Sequence, residues 1–178
     1  CMNVGARLGE TQDCLVDVDL VMPNGALITR TMEELRMSYR TAHIPPGSII
    51  ANARLQTTAG DVDAERQAIR THLDHRAASQ PLHLPSCGST FQNPPGDHAG
   101  RLIEACGLKG YTVGGAQVSD KHANFIVNIG DATADQIRSV VEHVQRTVQS
   151  RFNVNLQREV HYAGDWSHWI ESIHPERM

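Results

Sequence analysis

The sequence lacks the features that mark membrane, secreted and metal-binding proteins. None of its apolar runs approaches the ~20 residues that a membrane-spanning helix needs, and no signal-peptide pattern opens the chain. Four cysteines (Cys1, Cys14, Cys87 and Cys106) are scattered without metal-ligand spacing. We therefore expect reduced thiols rather than disulfides. These absences predict a cytoplasmic protein with no membrane contact and no metal.

Lysine is also scarce, and positive charge does not dominate the chain. Of 16 basic residues only Lys109 and Lys121 are lysines, and the formal net charge is −4. Such a chain has no electrostatic attraction for nucleic acid or an anionic membrane surface, so we expect neither as a partner. The arginine bias suits carboxylate or phosphate binding, but a compositional bias explains it equally well. With 178 residues, the chain can hold one sizeable core or two small ones.

Local patterns predict a mixture of strands and helices in two lobes. Residues 14–21 alternate in polarity as a half-buried strand does, and a turn at 23–25 predicts a hairpin with 26–29. Thr31-Met32-Glu33-Glu34 has the capping-box pattern that opens a helix, and residues 60–78 follow as a polar helix. The stretch 79–85 is the candidate boundary between lobes.

The second half of the chain is also predicted to contain both helices and strands, in an α+β arrangement. Asp97 can cap a helix that Gly107 ends. An apolar strand at 124–129 precedes the clearest helix, 133–150, whose apolar residues recur at helical spacing. Residues 156–162 alternate again as a strand. The tail, residues 165–178, carries both tryptophans without a recognisable pattern.

A site is indicated by residues 87–96, which combine glycine and proline with the small polar residues Ser89 and Asn93. Glycine allows close approach of a ligand to the backbone. A turn serine is nonetheless usually structural, Asn-Pro commonly starts a turn, and no G-x-S-x-G elbow accompanies Ser89. The glycines at 107–115 lack the order of a known phosphate loop. A helix end at Gly107 and a bulge at 114–115 explain them as well.

Three further residues are candidates with ordinary alternatives. Arg40 follows Tyr39 and either clamps a carboxylate or extends over the neighbouring ring. Glu159 lies on the polar side of its predicted strand, where a solvated glutamate is the default. His122 stands between Lys121 and Ala123, where a loop residue is more common than a ligand or a base.

Read together, these segments resemble the UDP-N-acetylenolpyruvoylglucosamine reductases. The matching motifs follow the family's order along nearly the whole chain, at residues 3–6 with 9–10, 39–40, 85–94, 99–104, 107–110, 114–119, 122–128 and 156–160. The serine motif at 85–94 resembles the subclass that lacks an extra tyrosine loop.

The resemblance implies a flavoenzyme that uses FAD and NADPH to complete UDP-N-acetylmuramate for peptidoglycan synthesis. Its substrate is the enolpyruvyl ether of UDP-N-acetylglucosamine. By this resemblance Arg40 and Glu159 bind and polarise the substrate carboxylate, and Ser89 donates a proton to carbon. The same comparison assigns two residues, Asn93 and His122, to the nucleotide sugar and three, Asn3, Gly5 and Ala6, to FAD.

The resemblance also implies the domain organisation. Residues 1–80 correspond to the C-terminal part of an FAD-binding domain of the PCMH type, 81–164 to a smaller α+β substrate-binding domain, and 165–178 to a tail. The family's first flavin subdomain, with its pyrophosphate loop, is expected upstream of residue 1. The alternative of another class is a redox-silent module that binds a UDP-sugar.

Overall fold

The computed structural model describes residues 3–6, 9–167 and 169, and the chain divides into two compact units, Cys1–His72 and Leu73–Met178. The division falls inside a helix, eight residues before the boundary that the sequence predicts at 80/81. That predicted domain boundary stays a prediction. Nothing in the described chain forms a helix long and apolar enough to span a bilayer.

The first unit is built on short antiparallel strands. They are β1 (Gly5–Ala6), β2 (Gly9–Glu10), β3 (Leu15–Val21), β4 (Leu27–Thr31) and β5 (Ile49–Leu55). β1 pairs with β2, and the larger sheet has the order β4-β3-β5. The half-buried strand and the hairpin predicted at 14–29 are confirmed as β3 and β4. Val18 and Leu20 alternate as buried residues, but a register shift between Leu15 and Asp17 breaks the pattern, so that Leu15 is buried as well. These three form a small core with Leu35. Val16, which alternation would bury, is 43% exposed.

The helix predicted after Thr31 is wrong, although its capping bonds form. The Glu34 amide donates to Thr31 Oγ1 at 3.3 Å, and the Thr31 amide donates to Glu34 Oε2 at 2.9 Å. The chain then leaves helical geometry at Arg36, whose φ is +43°. Leu35 O accepts from the distant His43 amide instead of continuing a helical ladder. A capping box fixes one turn, and only the following backbone extends it.

The polar helix predicted at 60–78 is confirmed as α1 (Val62–Ser79), and the division between the units falls within it. The second unit then contains β6 (Ser86–Ser89), α2 (Ala99–Ala105), β7 (Thr112–Val113), β8 (Ala116–Val118), β9 (Phe125–Asn128) and α3 (Ala134–Phe152). Its antiparallel sheet has the order β6-β9-β8-β7. The fold is therefore mixed α and β with antiparallel sheets, and a PCMH-type subdomain stays a prediction.

Helix α3 supplies most of the packing in the second unit. Thr133 accepts from the Gln136 amide at 3.2 Å as the N-cap, and the valines at 140, 141, 144 and 148 are buried. Together with α2 and the sheet they form a core larger than that of the first unit. The predicted helix at 133–150 is confirmed. Its helical spacing is what places one continuous apolar stripe against β7, β8 and β9.

The strand predicted at 156–162 is reduced to an isolated bridge between Phe91 and Arg158. After the bridge the chain returns to α3, where the Arg138 guanidinium lies 4.5 Å from the centroid of the Trp169 ring. Trp169 is buried, and its Nε1 donates to Glu142 Oε1 at 2.9 Å. Most of the predicted tail at 165–178 lies outside the described residues, as do Cys1, Met2, Arg7 and Leu8.

Candidate active site

Ser89 and Glu159 lie on neighbouring extended segments. Ser89 is the last residue of β6, half-buried, and pairs with Phe125 of β9. On the other side, the Glu159 amide donates to Thr90 O at 2.9 Å, and the Gln92 amide donates to Gln157 O at 2.9 Å. The residue after Ser89 is therefore bonded directly to Glu159. This register brings two of the three predicted catalytic residues to the same edge of the second unit.

A buried asparagine that the sequence analysis does not single out holds this edge. Asn124 is 4% exposed, and its carboxamide bonds both backbone groups of Phe91. The Phe91 amide donates to Asn124 Oδ1 at 3.0 Å, and Asn124 Nδ2 donates to Phe91 O at 2.8 Å. The Thr90 amide donates to Asn124 O at 2.8 Å. The signal in the sequence is a carboxamide flanked by the apolar residues Ala123 and Phe125 just before a buried strand, because such a group needs partners.

His122 lies beside this clamp. Its Nδ1 accepts from the Asn124 amide at 3.2 Å, which leaves the proton of a neutral ring on Nε2. The ring meets Phe125 edge-on, with centroids 4.8 Å apart. Burial lowers the pKa of His122 below its ordinary value, and the nearby charge of Lys109 adds to the effect. His122 is therefore a neutral Nε2–H donor at physiological pH, suited to a polar ligand atom.

Asn93 has a structural bond at the start of α2. Its Oδ1 accepts from the Ala99 amide at 3.0 Å. Asp97, predicted to cap this helix, instead accepts from the His98 amide and from Arg101, while His98 occupies the N-cap position. The predicted cap is thus one residue early. Gly107, with φ +74°, ends the helix as expected.

The glycines at 114–115 are a tight turn, so the predicted bulge there is wrong. They join β7 to β8, and Val113 pairs with Ala116 across them. Gln136 of α3 closes over the turn, and its Oε1 accepts from the Gly115 amide at 3.0 Å. A Cβ placed on Gly115 would lie 1.9 Å from Gly130 O. Close packing therefore explains these glycines, and the amide that could hold a phosphate is already bonded.

Arg40 of the first unit occupies a strained position in a tight turn. Ser38 and Thr41 exchange two backbone bonds, of 3.0 and 3.1 Å, around Tyr39 and Arg40. Arg40 has φ +55°, a conformation that costs a non-glycine residue roughly 1–2 kcal/mol. Its guanidinium carbon lies 5.2 Å from the centroid of the Tyr39 ring. Strain at a charged residue is typical of functional positions.

The predicted cofactor residues lie in the loop beside Arg40. Asn3 is fully buried, donating to Glu10 Oε2 at 2.7 Å and accepting from the Gln12 amide at 3.1 Å. A Cβ on Gly5 would lie 3.3 Å from Arg40 Nη1. The backbone of Ala6 pairs with Gly9. Asn3 thus anchors this segment, and the missing Cβ of Gly5 leaves room for the side chains of Glu10 and Arg40. That these residues contact FAD stays a prediction.

Elsewhere the described residues form a further cleft and no metal site. A cleft of about 530 Å³ in the first unit is lined mainly by the start of β3 and the turn after β4, and none of Asn3, Gly5 and Ala6 lines it. No cluster of three or more histidine, cysteine or acidic side chains within residues 3–6, 9–167 and 169 has the arrangement of a metal site. Ser89, Asn93, His122 and Glu159 lie in the second unit and Arg40 in the first. That all five face one substrate stays a prediction.

Comparison with known proteins supplies the family. Residues 80–163 match the family profile described as "UDP-N-acetylenolpyruvoylglucosamine reductase, C-terminal domain". The family suggested by the motifs is confirmed. The reductase of that name from Thiobacillus denitrificans is 49% identical over 92% of this chain and 51% of its own length, and the Methylococcus capsulatus relative is 49% identical over 92% and 54%.

The fold agrees with a solved reductase of the same name. The crystal structure of UDP-N-acetylenolpyruvylglucosamine reductase from Thermus caldophilus superimposes with a TM-score of 0.76 and is 38% identical in sequence. The match covers 89% of this chain and 57% of that chain. The chain therefore spans about half the length of the reductases that it matches.

Proposed function

We propose that this chain is part of an FAD-dependent reductase that converts UDP-N-acetylenolpyruvoylglucosamine to UDP-N-acetylmuramate with NADPH, in the cytoplasm of a bacterium. The family match supports the reaction class. The observation that carries the proposal is the register at the edge of the second unit, where the Glu159 amide bonds the residue after Ser89.

Gly5 and Ala6 would hold one edge of the flavin, and the buried Asn3 would support them through its bonds to Glu10 and Gln12. When bound, FAD would supply to the substrate a hydride that originates from NADPH. We propose that the remaining contacts to the cofactor come from a further flavin subdomain of the whole protein.

Addition of a hydride to the enolpyruvyl methylene carbon leaves an enolate at the substrate carboxylate. Arg40 and Glu159 would bind and polarise that carboxylate, so that developing charge is stabilised by groups already in place. Ser89 would donate its hydroxyl proton to the neighbouring carbon and recover a proton from solvent. A serine is a weak acid, but an enolate is a strong base, and a positioned acid is typically worth ~100- to 10,000-fold.

His122 and Asn93 would contact the nucleotide sugar. The neutral Nε2–H of His122 can donate to a phosphate or sugar oxygen without the cost of burying a charge. Asn93 is proposed as a sugar contact from its place at the start of α2, where its Oδ1 accepts from the Ala99 amide.

The test uses the whole native protein that contains this sequence, referred to below as the native protein. Its visible absorbance should report bound flavin, bleach with NADPH under anaerobic conditions, and return when the enolpyruvyl substrate is added. UDP-N-acetylglucosamine, which lacks the enolpyruvyl ether, should not restore it. A protein that binds the UDP-sugar but shows no such cycle would instead support the redox-silent binding module.

A further inference from the structure

The buried Asn124 links two segments of the second unit's candidate site. Asn124 bonds the Thr90–Phe91 backbone through its own carbonyl and through both ends of its carboxamide. Its amide donates to His122 Nδ1 at 3.2 Å. Thr90, which follows Ser89 in the chain, accepts through its carbonyl from the Glu159 amide. Asn124 is therefore linked through Thr90 to both Ser89 and Glu159.

This arrangement is specific to a carboxamide. A strand neighbour ordinarily presents one N–H and one C=O to its partner, and the Asn124 side chain presents the same pair to Phe91. No aliphatic side chain of this size can satisfy both backbone groups, and leaving either one unpaired in a buried position is costly. The carboxamide therefore fixes the direction in which the chain leaves Ser89.

We propose that Asn124 is a positioning residue that holds Ser89 and Glu159 in the register that proton transfer requires. This inference rests on the proposed function, and Asn124 itself contacts neither substrate nor cofactor in it. Misplacement of a reacting group by about 1 Å costs roughly 100-fold in rate, so loosening the Phe91 anchor should affect chemistry more than substrate affinity.

The test compares Asn124→Ala with Asn128→Ala in the native protein. Asn128 is the last residue of β9, the strand that begins just after Asn124, and its Oδ1 accepts from the Gly130 and Ala132 amides at 3.0 and 3.1 Å, away from Ser89. Both variants lose backbone hydrogen bonds and should lose comparable stability. In Asn124→Ala, reoxidation of reduced flavin by substrate should slow about 100-fold at saturating substrate. In Asn128→Ala it should stay within about twofold of the unaltered protein.

A second readout does not depend on activity. Hydrogen exchange of the Phe91 amide should accelerate in Asn124→Ala and not in Asn128→Ala, since only the first removes its acceptor. Asn124→Asp adds a pH readout, because a carboxyl group can donate to Phe91 O only while protonated. Its reoxidation rate should fall with rising pH more steeply than that of the unaltered protein.

The outcomes separate the inference from the proposed function. Equal slowing in Asn124→Ala and Asn128→Ala, or unchanged reoxidation in Asn124→Ala, would overturn the positioning role. If the unaltered protein never cycles with the enolpyruvyl substrate, the proposed function fails. The Phe91 exchange rate then decides the anchoring part by itself, and unchanged exchange in Asn124→Ala overturns it.

Discussion

The turn at Gly114–Gly115 allows a stability prediction that distinguishes packing from ligand binding. An alanine at Gly115 would place its Cβ 1.9 Å from Gly130 O, 2.6 Å from the Ala132 amide nitrogen and 2.9 Å from Ala132 Cα. All three are backbone atoms, so no flexible side chain can move aside. The β7–β8 turn must shift away from the segment that leads into α3.

The expected cost follows from two sources. Overpacking costs about 1–3 kcal/mol. The shift also strains two hydrogen bonds, from the Gly115 amide to Gln136 Oε1 at 3.0 Å and from the Ile129 amide to Gly115 O at 2.9 Å. Each such bond is worth about 0.5–1.5 kcal/mol. We therefore expect Gly115→Ala to lower the free energy of unfolding by about 2–6 kcal/mol.

Urea unfolding followed by tryptophan fluorescence measures the stability of the second unit, which contains Gly115. Both tryptophans of the sequence, Trp166 and Trp169, lie in that unit. The matched control is Gly96→Ala, where φ is +76° and no atom lies within 4 Å of the added Cβ. Its cost should be only the backbone strain of about 1–2 kcal/mol. Equal urea midpoints for the two variants would refute the packing explanation of Gly115.

Two further predictions concern single polar groups. Thr90 is buried, and its hydroxyl has no hydrogen-bond partner in the described part of the chain, so Thr90→Val should leave the urea midpoint unchanged or raise it. A lower midpoint would mean that the hydroxyl is satisfied. The hydrogen bond from Arg101 and, to a smaller extent, that from the His98 amide lower the pKa of Asp97 to about 2. The ionised Asp97 therefore stabilises the fold fully above pH 3.8, the ordinary pKa, and this stabilisation is lost as pH falls through about 2. Arg101→Ala should raise that pKa toward 3.8 in a carboxyl NMR titration, and an unshifted titration would show that the ion pair does not form.

Elements that rest on local periodicity could be predicted from the sequence. α3 buries one face by a repeat that is complete within the helix, and β3 alternates over most of its length, so the pattern alone identifies both elements. The register shift between Leu15 and Asp17, which exposes Val16, needs the partner strand and could not be predicted. The capping box at Thr31 misleads because it specifies only the first turn, and Arg36 at φ +43° ends the helix immediately. The strand predicted at 156–162 needed a partner along its whole length, and only Arg158 bridges to Phe91.

The candidate site shows the same limit. Motif order predicts Ser89 and Glu159 as partners, and the register between Thr90 and Glu159 supports that interpretation. The role of Asn124 could not be predicted, because it depends on Phe91, 33 residues earlier in the chain, lying opposite it. Gly115 likewise needs the position of Gly130 O, which no local pattern supplies.

The most direct test of the account is the effect of Ser89→Ala on the two half-reactions of the native protein, measured by stopped-flow absorbance. Flavin reduction by NADPH should be nearly unchanged, because Ser89 takes no part in it. Reoxidation by the enolpyruvyl substrate should slow by ~100- to 10,000-fold. Ser86→Ala, an exposed serine at the other end of β6, is the matched control and should change neither step. Unchanged substrate-driven reoxidation in Ser89→Ala would contradict the assignment of Ser89 as the proton donor.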